Sequence, residues 1–104
     1  MQKFPDNWDL KTKINFLQRK IILNSIAYYE YNTNFLSDRY YDSISKQLVE
    51  LHKEYGDISD TQYGYAFLDF DGSTGFDLRY RLTDLDRRYL EHMVRRQCRV
   101  KGEV

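Results

Sequence analysis

Tyr41, Ile44, Leu48, Leu51 and Tyr55 recur at 3-4-3-4 spacing, and no other feature constrains the chain as strongly. An α-helix turns once every 3.6 residues, so this spacing lays the five side chains in one apolar stripe. Ser37 stands where an N-cap belongs, and Asp38 follows in the first turn, where the helix dipole favours negative charge. Gly56 fits the C-terminal cap. A second stripe runs through Ile14, Leu17, Ile21, Ser25 and Tyr28, widened by Leu10 and Ile22, and predicts a helix over about 10–30. Asn32-Thr33-Asn34 breaks it. Two such helices joined by a short loop bury their stripes against each other.

Beyond Gly56 the pattern changes. Tyr63, Tyr65 and Phe67 alternate with Ala66, Leu68 and Phe70, which reads as a strand. Asp71-Gly72-Ser73-Thr74-Gly75 is a turn signal. Phe76, Leu78, Tyr80 and Leu82 then alternate with Asp77, Arg79 and Arg81, giving a second strand with one wet face. Thr83-Asp84-Leu85-Asp86 resembles a capping box with Asp at its last position. A last helix follows to about 99, with Leu85, Tyr89, Leu90, Met93 and Val94 inward and arginines outward. The expected order is α-α-β-β-α in a single domain over 1–104. This is an α+β fold with a helical hairpin at 10–55, a β-hairpin at 63–82 and an Arg-rich helix at 84–99.

The 104 residues suffice for one domain with little core to spare. Ten Tyr, six Phe and one Trp compensate, because each large ring buries much area. One Cys excludes an internal disulfide, and the longest aliphatic run, Ile21-Ile22-Leu23, is far too short to span a membrane. The first twenty residues carry seven charges and no apolar block, so the expected setting is a reducing cytoplasm.

Zero net charge hides a segregation along the chain. Residues 54–78 hold six acidic side chains and no Lys or Arg, whereas 79–101 hold eight basic and three acidic ones. Either the two segments neutralise each other, or they form faces of opposite sign that steer partners. Arg87, Arg88, Arg95, Arg96 and Arg99 fall on roughly one side of the last helix, as candidate contacts to phosphate or carboxylate.

Catalytic chemistry is hard to assemble from these residues. His52 and His92 have no His or Cys at metal-ligand spacing, so no metal site is expected. Gly72-Ser73-Thr74-Gly75 is too short for a phosphate loop and lacks its lysine. Cys98 lies between Arg96 and Arg99 without an evident base, and Asp69 and Asp71 read as solvated turn residues. The expectation is a protein that is not an enzyme.

The run from Tyr28 to Asp42 includes a Tyr28-Tyr29 pair, a short loop, and Ser37-Asp38-Arg39-Tyr40-Tyr41-Asp42 opening a Leu-rich helix. It resembles the N-terminal helical module (domain Ia) of bacterial NAD-dependent DNA ligases over about 10–55. That module clamps the nicotinamide mononucleotide half of NAD. The resemblance implies that Tyr28 takes the ring-stacking position and that Asp38, Tyr41 and Asp42 take the acidic and aromatic ones. Tyr29 stands where the family often has His. The ligase's adenylated lysine has no counterpart, since Asp69 stands two residues before Asp71-Gly72 where that Lys belongs. Short stand-alone proteins resembling this module occur in phages. The first expected function is therefore a phage-type accessory protein that binds a host protein, such as a nuclease or defence complex, as an anti-CRISPR inhibitor does. The alternatives are a module binding NAD or nicotinamide mononucleotide, with no other cofactor expected, and nucleic-acid binding through the Arg-rich helix.

Overall fold

The computed structural model describes residues 2–73 and 75–98. Four α-helices and two short 3-10 turns make up its regular structure: α1 (Leu10–Tyr31), α2 (Asp38–Tyr55), 3-10 turns at Ile58–Asp60 and Gly64–Ala66, α3 (Leu78–Arg81) and α4 (Asp84–Cys98). Among the described residues there is no strand, so the molecule is a small all-α domain.

α1 is the central element. Asp9 caps its first turn by accepting from the Thr12 amide at 2.8 Å, and Asn32 ends it in the left-handed conformation, φ 51°. Ile14, Leu17, Ile21, Ile22, Ile26 and Ala27 are fully buried on several sides of it, because α2, α3 and α4 all pack on this one helix. α2 is amphipathic, as its stripe predicts. Ser37 accepts from the Tyr40 amide at 3.1 Å, Ile44 and Leu48 are fully buried, and Gly56 closes the helix with a φ of 95°.

The expected β-hairpin at 63–82 is absent, which overturns the α+β assignment. The buried residues are Tyr63, Ala66 and Phe67, with Phe70 packed against them, while Leu68 is 68% exposed. Positions 63, 66, 67 and 70 follow helical rather than alternating spacing. The backbone donors of this segment are also already engaged. Asn15 accepts from the Gln62 amide at 2.8 Å, and fully buried Gln18 accepts from the Tyr63 amide at 2.9 Å. The amides of Ala66, Phe67 and Phe70 donate to carbonyls three residues back. Gly64 permits the tight path, because a Cβ there would collide with the Ile58 carbonyl. The second supposed strand inverts as well. Leu78 and Leu82 are buried one helical turn apart, Phe76 and Tyr80 are exposed, and Arg79, assigned to the wet face, is 5% exposed.

α4 runs where its periodicity places it, with Leu90 and Val94 buried against α1 and Met93 half-buried. Leu85 and Tyr89 do not turn inward as expected, and are 76% and 53% exposed. No described helix is long and apolar enough to cross a membrane.

Candidate functional site

α1 brings Asn24, Ser25, Tyr28 and Tyr29 to one end of the molecule. Buried Asn24 accepts from the amides of Phe35 at 3.0 Å and Leu36 at 3.2 Å. This side chain shapes the loop that carries Asn34 and delivers Ser37 to the start of α2. The result is a cleft of about 230 Å3 in which Tyr28, Tyr29, Asp38 and Tyr41 converge with Asn24, Ser25, Asn34, Ser73 and Gly75. Four of the five residues implied by the ligase resemblance therefore share one site. Asp42 does not line it, but is exposed and acts on Tyr41 only through its charge.

The inner end of the cleft is polar and tightly covered. The hydroxyls of Tyr41, Ser25 and Ser45 are buried without a well-formed hydrogen bond. Burial raises the Tyr41 phenol above its ordinary pKa, and the neighbouring Ser25 and Ser45 hydroxyls partly offset the rise. A Cβ at Gly75 would collide with the hydroxyls of both Ser25 and Tyr41, so any larger residue there would have to displace them for the chain to pass over. Asp71 draws this turn together by accepting from the Ser73 amide at 3.0 Å and hydroxyl at 2.6 Å.

The outer rim is aromatic. Tyr28 meets Tyr29 edge-on at 4.9 Å between ring centroids, Tyr29 meets Phe76 at 5.1 Å, and Phe76 meets Tyr80 at 6.0 Å. Beneath this ridge lies Arg79, whose guanidinium carbon is 4.9 Å from the Tyr29 ring centre, 4.7 Å from Phe76 and 4.4 Å from Tyr80. Its nitrogens reach Glu30 at 2.9 Å, the Phe76 carbonyl at 3.0 Å and the Tyr80 hydroxyl at 2.7 Å. Arg87 joins from α4, donating to Glu30 at 2.8 Å and to Glu91 at 2.9 Å. Burial, reinforced by nearby Glu91, raises the Glu30 carboxyl, while Arg87 holds Glu91 low. The network ties α1, α3 and α4 together behind the rings. Sequence reasoning missed Arg79 because it was placed on the wet face of a strand. The legible signal was Phe76 and Tyr80, which lie four apart with Arg79 between them.

The candidate arginines of α4 divide. Arg87 is held by carboxylates, whereas Arg88, Arg95 and Arg96 are exposed and form no ion pair among the described residues. Arg99 lies outside the described residues. The charge segregation is partly neutralised across the fold: Asp69 pairs with Arg81 and Asp60 with Lys11, while Glu54, Asp57, Asp71 and Asp77 stay exposed. Cys98 is half-buried, and no group of three or more His, Cys, Asp or Glu able to hold a metal exists among the described residues. Comparison with known protein families, curated proteins and solved structures finds no match for this chain.

Proposed function

We propose that the protein is a non-enzymatic binding protein whose cleft receives the ring-and-ribose end of a nucleotide of the nicotinamide mononucleotide class. The observation that carries this reading is the convergence of Tyr28, Tyr29, Asp38 and Tyr41 on one cleft. Tyr28 is 52% exposed and offers a ring for stacking. Asp38 accepts hydrogen bonds from sugar hydroxyls, Asn34 offers both a donor and an acceptor to an amide, and Asn24, whose side-chain oxygen is taken by the Phe35 and Leu36 amides, offers only its NH2 donors. A volume of about 230 Å3 lies below the roughly 300–1,000 Å3 of sites that engulf a drug-sized ligand. The cleft therefore takes one ring and its sugar, and leaves the adenylate half of NAD outside.

Thermal shift and calorimetry with nicotinamide mononucleotide and NAD, with ATP as control, test this reading. Ligand at 100 times its dissociation constant stabilises the fold by about 2.7 kcal/mol, several degrees for a domain of this size. Tyr28→Ala and Asp38→Ala each weaken binding about tenfold, the loss of one good contact, whereas Asp42→Ala leaves it unchanged. Absence of heat and of any shift at millimolar ligand overturns the proposal.

A second reading rests on the ridge rather than the cleft. Tyr28, Tyr29, Phe76 and Tyr80 are all more than a third exposed and stand in one connected row. Aromatic rows of this kind anchor protein partners, as the host-nuclease or defence-complex reading requires. Tyr80→Ala separates the two, because Tyr80 does not line the cleft. It abolishes inhibition of a host nuclease under the second reading and leaves nucleotide binding intact under the first.

A further inference from the structure

We propose a second, independent site: the groove between the outer face of α1 and the end of α4 binds a single-chain fatty carboxylate of medium length. Phe16, Leu23, Phe35, Leu36 and Met93 line this groove with Arg19, Lys20 and Gln97, and its volume is about 360 Å3. Phe16, Arg19, Lys20 and Leu23 recur three and four apart and so occupy one side of α1. The five apolar side chains pack against the core only in part and keep apolar area in the groove.

The charge of the lining selects the ligand. Among the described residues no carboxylate lines the groove. Neither Arg19 nor Lys20 forms an ion pair among the described residues, and Lys20 instead sits 5.1 Å from the Phe16 ring centre and 5.4 Å from that of Tyr40. An apolar wall with two cations, and no counter-charge among the described residues, is complementary to an apolar chain ending in an anion. Gln97 adds a donor that a carboxylate accepts from, and Met93 supplies the adaptable surface that suits a flexible chain. The volume lies near the lower end of the range for small-molecule sites, which favours a free medium chain over a two-chain lipid.

Met93 is a built-in reporter, since Met1 is the only other methionine. The full chain, labelled with 13C at the methionine methyl groups, is titrated with decanoate below its micelle concentration, with decanol as the uncharged control. The expected result is a saturable shift of the Met93 methyl signal with decanoate, and about tenfold weaker binding of decanol. Arg19→Gln and Lys20→Gln each weaken decanoate several-fold, Lys20→Arg restores it, and Tyr28→Ala leaves it unchanged, which keeps this test separate from that of the nucleotide cleft. Absence of a saturable Met93 response, or equal binding of decanol and decanoate to the wild-type chain, overturns the proposal. So does co-sedimentation with phosphatidylglycerol vesicles when monomeric decanoate produces no response, because the cations then serve a membrane surface.

Discussion

The α1–α2 pair and the segment from Asp57 to Leu82 are held together in different ways. Each helix of the pair satisfies most of its own backbone, and its caps come from within a few residues: Asp9 for α1, Ser37 for α2. The later segment borrows. Two of its amides are held by Asn15 and Gln18 of α1, 47 and 45 residues away, and its anchors Tyr63 and Phe67 are lodged in the core. A region that meets its own hydrogen bonds loses little when one side chain is removed. One that depends on a few distant partners loses its course with them.

Phe67→Ala breaks the comparison most forcefully. The ring is 1% exposed and meets both His52 and Phe70 edge-on, and removing a buried Phe costs about 3–5 kcal/mol. Denaturant unfolding should show that loss, and hydrogen exchange should show the amides of 61–70 released before those of α1 and α2. Uniform loss of protection would mean that the two regions unfold as one unit.

Acidification sharpens the contrast next. Burial lowers the His52 pKa from 6.5 to about 4, while its ring sits 3.3 Å from the Gln18 amide nitrogen. Between these values the unfolded chain binds a proton that the folded chain refuses. The contribution is therefore complete above pH 6.5 and is lost progressively as the pH falls towards 4. For a half-buried ring it amounts to roughly 1–2 kcal/mol. Melting curves at pH 7.5 and 4.5 should differ by several degrees more for the wild type than for His52→Gln, and equal differences would contradict the assignment.

The smallest effect belongs to the self-sufficient region. Ser37→Ala removes one cap and costs about 1 kcal/mol, read as a small drop in denaturation midpoint with an unchanged slope. A loss near that of Phe67→Ala would show that α2 depends on its entry loop as heavily as the later segment depends on α1.

The helical hairpin was legible because its signals are local. Leu10, Ser37 and Gly56 lie within one or two residues of the observed helix limits, and the stripes of both helices face the core except at Tyr28, which is exposed on the cleft rim. The 63–82 region was misread because its rings satisfy two periods at once. Tyr63, Tyr65 and Phe67 alternate, yet Tyr63, Ala66, Phe67 and Phe70 also trace a helical path. Nothing near them in the chain decides between the two, since Asn15 and Gln18, which do decide it, stand more than forty residues upstream. The site was legible to the same degree. Tyr28, Tyr29, Asp38 and Tyr41 share the cleft, Asp42 is exposed and does not line it, and Arg79, expected on a wet face, is buried.

The amino-acid sequence by itself determined the two long helices and the caps of α2, because hydrogen bonds four residues apart and a 3.6-residue period are properties of a short stretch of chain. Only the tertiary structure decided that the 63–82 segment would wind into short turns rather than pair into strands, that Arg79 would turn inward beneath its three rings, and that Gly75 would cover the Tyr41 hydroxyl. Each of those outcomes depends on which distant group meets a backbone amide, a charge or a missing Cβ first, and that is settled by packing around α1.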